Sequence, residues 1–273
     1  RALAWQVYKR LTGSPVDVQV RDLKLRCYPD SHSASRALYF SGLPDYWEMR
    51  FMIDYLRPGD RFIDVGANVG LYTLLAGFIV GSAGHIDAFE PGALAADRLR
   101  ETVEANAMMN VCLHPVAVSD VAGTANFNLT DDDCCAHISP AALVGVGSKP
   151  VPTVRLDTHL ENQFYAMAKM DIEGYEPFAV RGASRLMKQG QLPVILLEMA
   201  GYSKRFGIST SDFIAELKGL GYGCASYDPA ARELRPTQTP WQIPVDNLLA
   251  IRSEQFEFVA RRLAEARDAQ WPV

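Results

Sequence analysis

The sequence has few cysteines, and their spacing does not suit a zinc site. The five cysteines are odd in number, two of them are adjacent, and none belongs to a CxxC pair. This usage argues against a disulfide framework and favours reduced thiols, so we expect a cytoplasmic protein. The chain begins at Arg1 without the basic and apolar regions of a secretory leader.

Basic residues are not clustered in this sequence. It has 27 basic and 32 acidic residues, a net charge of −5, and no basic patch interleaved with aromatic residues. A nucleic-acid binder needs such a patch to neutralise phosphates, so we expect no nucleic-acid partner. With 273 residues, 48% of them hydrophobic, the chain can form one large α/β domain or two small ones. A small-molecule or sugar partner fits this composition.

A long uncharged run extends from Val65 to Gly84, about the length of a membrane span. Several glycines interrupt this run, and Gly81 and Gly84 form a natural helix stop before the next strand. We therefore predict a buried helix between two buried strands and no membrane span.

A glycine turn is the most informative feature that is present. In RFIDVGANVGLY an apolar strand ends near Asp64, a turn carries Gly66, Asn68 and Gly70, and an apolar helix follows. Such turns let backbone N–H groups approach a cofactor at a helix N-terminus. The spacing is DxGxNxG, not the GxGxxG of dinucleotide folds. The next strand ends on Glu90 in HIDAFEP, where a carboxylate can accept hydrogen bonds from ribose hydroxyls.

Strand and helix patterns alternate after this turn, which predicts right-handed crossovers and a mainly parallel sheet. The predicted strands cover residues 61–65, 85–90, 111–118, 167–171 and 194–199, and the predicted helices cover residues 71–80, 93–107, 176–188 and 211–220. Two further strand patterns cover residues 223–228 and 247–251. No helix pattern lies between them, which predicts a final antiparallel hairpin. Residues 123–154 show β-like runs without a helix, which predicts an inserted hairpin or lid.

Several motifs together resemble the FkbM-type S-adenosylmethionine-dependent methyltransferases. They are FIDVGANVGLYT, AFEP, AVSD, RLDTHL, KMDIEGYE and LLEM, and the resemblance extends from about Arg61 to Ile251. It implies a class I methyltransferase fold, which is α/β and doubly wound around a mostly parallel, seven-stranded sheet with an antiparallel last strand. We expect residues 57–273 to form this domain and residues 1–56 to form an appendage that supplies a lid, a substrate wall or an oligomer contact.

The resemblance also implies which residues bind S-adenosylmethionine. It places the methionine moiety against Asp64, Gly66, Asn68 and Gly70 with Tyr72 nearby, the ribose on Glu90, and the adenine near Ser119 and Asp120. Two simpler interpretations remain open. The glycine turn could merely pack a helix on the sheet, and Asp120 could be an ordinary turn aspartate at a strand end.

Asp171 and Glu173 end the fourth strand, at the sheet edge where α/β proteins place reacting groups. They are our first candidates for orienting an acceptor hydroxyl and taking its proton, with Lys169 neutralising one carboxylate. Both could instead cap the following helix. His137, in the inserted segment, is a second candidate base. We interpret the acidic run before it, residues 131–133, as a polar loop tip and expect no metal.

The preferred hypothesis is an S-adenosylmethionine-dependent O-methyltransferase that acts on a hydroxyl of a sugar, polyketide or similar small metabolite. A nicotinamide-dependent oxidoreductase is disfavoured by the missing GxGxxG. A catalytically idle cofactor-binding module within a larger polypeptide stays open, and so does a homo-oligomer.

Overall fold

The computed structural model describes residues 7–8, 10–20, 23–31, 45–129, 136–140, 147–160, 162–237 and 247–266. The strands are β1 (Val16–Val20), β2 (Leu23–Cys27), β3 (Arg61–Val65), β4 (His85–Phe89), β5 (Val111–His114), β6 (Ala117–Val118), β7 (Gly123–Asn128), β8 (His137–Ile138), β9 (Ser148–Val154), β10 (Met167–Met170), β11 (Val194–Glu198), β12 (Tyr222–Asp228), β13 (Glu233–Pro236) and β14 (Asn247–Arg252). The α-helices are α1 (Tyr46–Tyr55), α2 (Leu71–Val80), α3 (Ala93–Ala105), α4 (Leu156–His159), α5 (Glu176–Gly182), α6 (Ser184–Lys188), α7 (Thr210–Gly219) and α8 (Phe256–Ala264).

A mixed sheet of eight strands forms the centre of the fold, in the order β13-β12-β14-β11-β10-β3-β4-β5. The neighbours from β11 to β5 pair in parallel, and β14 pairs antiparallel with both β11 and β12. The predicted α/β fold, with its parallel sheet and final antiparallel hairpin, is therefore confirmed. The prediction of seven strands was wrong for this sheet, because β13 adds a further antiparallel pair at the β12 edge.

The sheet is covered on both faces, which explains why its central strands are almost wholly apolar. On β3, Ile63 and Val65 belong to one buried core, and Phe62 belongs to the other. Alternation along the strand therefore places Asp64 on the face of Phe62. Helices α1, α2 and α8 pack on that face, and helices α5, α6 and α7 pack on the opposite one.

Two predicted elements are broken in the structure. The strand predicted over residues 111–118 divides into β5 and β6, and β6 pairs with β9 in a separate sheet. The helix predicted over residues 176–188 divides into α5 and α6 at Ala183. The Ser209 side chain caps the N-terminus of α7, because its hydroxyl accepts a hydrogen bond from the Asp212 N–H at 3.1 Å.

The predicted insertion is β-rich. Strands β6, β9, β7 and β8 form a four-stranded sheet beside the main one, and the segments 130–135 and 141–146 lie outside the described residues. Phe127 and Ile138 bury their side chains within this small sheet. The insertion therefore has its own core, and its action as a lid stays a prediction.

The N-terminal segment contains the antiparallel pair β1–β2 and helix α1. The C-terminal half of helix α1 is buried on every side, and its Asp54 accepts hydrogen bonds from Arg50 at 2.8 Å and from the Tyr227 hydroxyl at 2.7 Å. The segment is thus packed against the strand β12 that bears Tyr227. Among the described residues, we find no helix that combines the length and the apolar character needed to cross a bilayer.

Candidate active site

The glycine turn after β3 depends on two positions that no other residue type can occupy without strain. Gly66 has φ +81° and lies so close to the end of β10 that a Cβ atom there would stand 2.0 Å from the carbonyl oxygen of Asp171. Gly70 has φ +95°, and its Cβ would stand 2.2 Å from a methyl carbon of Leu99. Both glycines therefore allow close packing of the turn, against the backbone after β10 and against Leu99 of α3. The other side of the turn faces a cavity, which Gly66 and Asn68 line.

Glu90 ties the glycine turn to the end of β4. One carboxylate oxygen accepts a hydrogen bond from the Asn68 N–H at 2.8 Å, and the other accepts one from the Gly92 N–H at 2.7 Å. Only 6% of Glu90 is exposed. Burial raises the pKa of Glu90 to about 7, because these two bonds only partly offset it. A carboxylate has about four lone-pair sites, so ribose hydroxyls could still bind to it.

Asp64 is nearly inaccessible, at 1% exposure, and has one unsatisfied oxygen. Its Oδ2 accepts a hydrogen bond from the Thr73 hydroxyl at 2.6 Å, and its Oδ1 has no partner among the described residues. Burial raises the pKa of Asp64, and the charge of Lys169 opposes that rise. A buried, unpartnered carboxylate oxygen beside a cavity fits the ammonium group of a methionine moiety.

Lys169 connects the turn to the predicted catalytic residues. It is paired with Asp64 in the β10–β3 register, so both side chains lie on one face of the sheet. Its ammonium group donates to Asp171 Oδ2 at 2.6 Å and stands 4.3 Å from the centre of the Tyr72 ring. Burial alone would lower the pKa of Lys169, but Asp171 and Asp64 outweigh it and raise that pKa. The predicted neutralisation of one carboxylate by Lys169 is confirmed.

The motif DIEGYE forms a tight turn between β10 and α5. Glu173 has φ +56°, and Gly174 has φ +97° with the backbone of Tyr202 where a Cβ would be. Glu176 holds this turn, because its Oε1 accepts hydrogen bonds from the N–H groups of Ile172 at 2.9 Å and of Gly174 at 3.1 Å. The residue preceding α5 is Tyr175, without a side-chain cap. These hydrogen bonds therefore do not support the alternative that Asp171 and Glu173 cap helix α5.

Glu198, at the end of β11, is a third acidic residue that sequence reasoning missed. Carboxylate oxygens of Asp171, Glu173 and Glu198 lie within 4.8 Å of one another. Glu198 Oε2 is buried without a partner among the described residues. Burial, followed by the charges of Asp171 and Glu173, raises the pKa of Glu198. Its place in LLEM, at the carboxyl end of a parallel strand, was the available signal.

One cavity of about 340 Å³ joins most of these groups, but Gly70 and Glu176 are not among its lining residues. The predicted site residues that line it are Asp64, Gly66, Asn68, Tyr72, Glu90, His137, Asp171 and Glu173. Lys169 and Glu198 line it too, and so does Asp45, which accepts a hydrogen bond from the Tyr72 hydroxyl at 2.8 Å. Sequence reasoning missed Asp45, because it precedes the motifs.

The two residues predicted to contact the adenine do not line the cavity. Val116, Ala117 and Val118 line the cavity after β5, whereas Ser119 and Asp120 are not among its lining residues. The Ser119 N–H donates to the Val154 carbonyl at 2.8 Å, and its side chain contacts the Tyr175 hydroxyl at 3.1 Å. Contact of Ser119 and Asp120 with the adenine stays a prediction.

The sequence of this chain matches the model of one protein family. The sequence model of the methyltransferase FkbM domain matches residues 64–224, from the end of β3 to β12. The chain belongs to the FkbM methyltransferase family. The match includes the glycine turn, Glu90 and the DIEGYE turn, so the resemblance stated from the motifs is confirmed. No curated protein matches this FkbM chain significantly.

Three solved structures with a similar fold have sequences distant from that of this FkbM protein. An S-adenosylmethionine-dependent O-methyltransferase from Thermotoga maritima has 10% sequence identity and a TM-score of 0.44, covering 87% of this chain and 84% of the other. Precorrin-6y C5,15-methyltransferase from Geobacter metallireducens has 13% identity and a TM-score of 0.44, covering 85% and 97%. An rRNA methylase from Streptococcus thermophilus has 9% identity and a TM-score of 0.41, covering 74% and 91%. Such distant likenesses carry no argument about the acceptor.

Proposed function

We propose that this FkbM protein transfers the methyl group of S-adenosylmethionine to a hydroxyl oxygen of a small metabolite, such as a sugar or a polyketide. The observation that carries the proposal is the shared cavity. It joins the glycine turn and the unpartnered oxygen of Asp64 to three carboxyl groups, from Asp171, Glu173 and Glu198.

Asp64, the turn from Gly66 to Gly70, and Glu90 would hold the cofactor. When bound, S-adenosylmethionine supplies a methyl group on a positively charged sulfur, open to in-line attack. Asp64 Oδ1 can accept from the ammonium group, and Glu90 can accept from the ribose hydroxyls. The acidic character of these groups suits a cofactor with two positive charges.

The carboxyl groups would orient the acceptor and take its proton. Asp171 is held in place by Lys169, so it can position a hydroxyl without moving. Burial and the nearby Asp171 raise the pKa of Glu173, which brings this carboxylate closer to the proton affinity that a base needs near pH 7. Glu173 would take the proton of the acceptor hydroxyl while the methyl group leaves the sulfur for the hydroxyl oxygen, which releases S-adenosylhomocysteine. The raised pKa of Glu198 favours its protonated form, which can donate a hydrogen bond to the acceptor.

The charge of the cavity supports a small, neutral acceptor. Among the residues described, the acidic side chains that line the cavity outnumber its one lysine, Lys169. A phosphate-bearing acceptor such as RNA would be repelled by these carboxylates. Asp45 comes from the N-terminal segment, and we propose that this segment forms part of the wall around the acceptor.

A calorimetric titration tests the cofactor first. We expect S-adenosylmethionine and S-adenosylhomocysteine to bind with micromolar affinity and NADH not to bind. Hydroxylated metabolites and sugars would then be screened by measuring S-adenosylhomocysteine release, with mass spectrometry to detect an added methyl group. Binding of NADH, or no binding of either adenosyl compound, would refute the proposal.

The affinity for S-adenosylhomocysteine should depend on pH through Glu90. The ionised carboxylate accepts ribose hydroxyls best, and the pKa of Glu90 is about 7. We therefore expect binding to weaken as pH falls below 7, by at most about tenfold per pH unit for one proton. Calorimetry at several pH values measures this slope. A range of ~3 pH units centred on pH 7 covers the titration of Glu90.

Glu90→Gln is the matched control for this pH dependence, because it removes the titrating proton. We expect its affinity to be flat over the same range and about 10- to 100-fold weaker at pH 8, since hydrogen bonds to a charged group contribute about 1.5–3 kcal/mol. An unchanged affinity at pH 8 would refute the ribose assignment. If the affinity of the variant still changed with pH, a group other than Glu90 would cause the pH dependence.

A further inference from the structure

Three histidines, an aspartate and a cysteine meet at the free edge of the main sheet, outside the cavity. Asp87 on β4 is the register partner of Cys112 on β5, which is the last strand of the sheet. Side chains two residues apart on a strand share a face, so His85 lies on the face of Asp87, and His114 lies on the face of Cys112. None of these four residues lines the cavity described above.

Their donor atoms are close enough to share an ion. The ligand atoms of Asp87, Cys112 and His114 all lie within 4.8 Å of one another. Asp87 Oδ1 is 2.8 Å from His114 Nε2, and Asp87 Oδ2 is 3.3 Å from His85 Nε2. With bond lengths of about 2.0–2.3 Å, the ligand atoms around a tetrahedral zinc ion stand roughly 3.3–3.8 Å apart. Small side-chain rotations would reach that spacing, since Cys112 is exposed and 33% of the His85 side chain is exposed.

Neighbouring groups hold the His114 ring and the Asp87 carboxylate in place. His114 Nδ1 lies 3.1 Å from His159 Nε2, which leaves Nε2 as the atom that points to Asp87. The His114 ring stacks on Phe89 with centroids 4.5 Å apart, and the Tyr165 hydroxyl donates to Asp87 Oδ2 at 3.3 Å. Histidine and carboxylate ligands of metals are held by hydrogen bonds of this kind, which fix the ring and the ligating atom.

We propose that Asp87, Cys112 and His114 bind a divalent transition-metal ion of the zinc type, and that His85, which now contacts only Asp87 of these three, rotates to supply the fourth ligand. Thiolate and imidazole select such ions over magnesium or calcium, which prefer oxygen ligands only. Cys112 binds as the thiolate and releases its proton to solvent. The expectation from cysteine spacing missed this site, because its ligands come from two strands and no CxxC pair contributes.

The site would also stabilise the part of the fold that presents Glu90. The His114 carbonyl accepts a hydrogen bond from the Glu90 N–H at 3.1 Å, at the point where β4 and β5 end. An ion shared by Asp87 and His114 would join these two strands at Asp87, three residues before Glu90. The ion therefore has a structural role that is separate from the methyl transfer.

The test uses Co²⁺ as a spectroscopic probe and the full chain after treatment with a chelator. We expect one Co²⁺ per chain, with the absorption bands of tetrahedral coordination and a sulfur-to-cobalt charge-transfer band. That band should vanish in Cys112→Ser, a substitution at an exposed side chain. The double variant Cys134→Ser/Cys135→Ser is the matched control and should keep the band. The proposal fails if Co²⁺ produces no thiolate band, or if the band persists in Cys112→Ser.

A second variant tests the arrangement around His114. His159→Phe removes the hydrogen-bond partner of His114 Nδ1 but no proposed ligand. We expect its Zn²⁺ affinity, measured by competition with a chromogenic chelator, to fall about 10- to 100-fold, with the cobalt charge-transfer band still present. Wild-type affinity in this variant would contradict the proposed ligand geometry. Neither measurement depends on methyl transfer, so the metal site and the proposed function can fail separately.

Discussion

Glu173→Gln should slow methyl transfer by about 10²–10⁴-fold, the usual contribution of a positioned general base. Glutamine keeps the size of the side chain and the left-handed backbone at φ +56°, but it cannot take a proton. Affinity for S-adenosylhomocysteine should stay unchanged, because Glu173 belongs to the acceptor end of the cavity. The rate is measured as S-adenosylhomocysteine release with the acceptor that the screen identifies.

The matched control for this variant is Glu254→Gln, which makes the same chemical change at a side chain that is 78% exposed. It should have wild-type turnover. If Glu173→Gln also had wild-type turnover, Glu173 would be removed as the base, and His137→Gln and Asp171→Asn would be compared next. Asp171→Asn is the less specific test, because it also deprives the buried Lys169 of its ion-pair partner.

Gly66→Ala should destabilise the protein by about 2–6 kcal/mol and abolish cofactor binding in the fraction that folds. About 1–3 kcal/mol is the strain of a side chain at positive φ, and about 1–3 kcal/mol is the displacement of packed atoms. Here the new Cβ would stand 2.0 Å from the Asp171 carbonyl oxygen. Urea unfolding measures the free energy of unfolding, and calorimetry measures the affinity for S-adenosylhomocysteine.

Gly59→Ala separates the two contributions. Gly59 has φ +88°, close to the +81° of Gly66, but a Cβ at Gly59 would meet no atom within 4 Å. We therefore expect Gly59→Ala to show the backbone strain alone, about 1–3 kcal/mol, and to bind S-adenosylhomocysteine normally. Equal destabilisation by the two substitutions would show that the close approach of Gly66 to Asp171 has no energetic role.

Several elements could be predicted accurately because their signals are local. The strand over residues 61–65 and the helix over residues 71–80 match β3 and α2 at both ends, since a glycine turn separates them and Gly81 stops the helix. The division of residues 111–118 into β5 and β6 could not be predicted in this way. Strand β6 pairs with β9, more than thirty residues later, and a single apolar run contains no information about which strand it will pair with.

The candidate site could likewise be predicted where its residues belong to local motifs, and not where they depend on tertiary packing. Asp64, Glu90, Asp171 and Glu173 stand at strand ends within recognisable motifs, and parallel strands bring their carboxyl ends to one edge of the sheet. Asp45 and Glu198 were missed. Their place beside the cavity depends on how α1 packs and on the strand order β11-β10-β3.

The sequence alone determined the family, the parallel α/β core and the cofactor turn, because each depends on residue types at short and regular spacing. The tertiary structure decided which side chains share an environment. It buried Lys169 between Asp64 and Asp171, raised the pKa of Glu198, and brought Asp87, Cys112 and His114 together at the sheet edge. Such effects depend on desolvation and on contacts between residues far apart in the chain, and local spacing does not encode either of them.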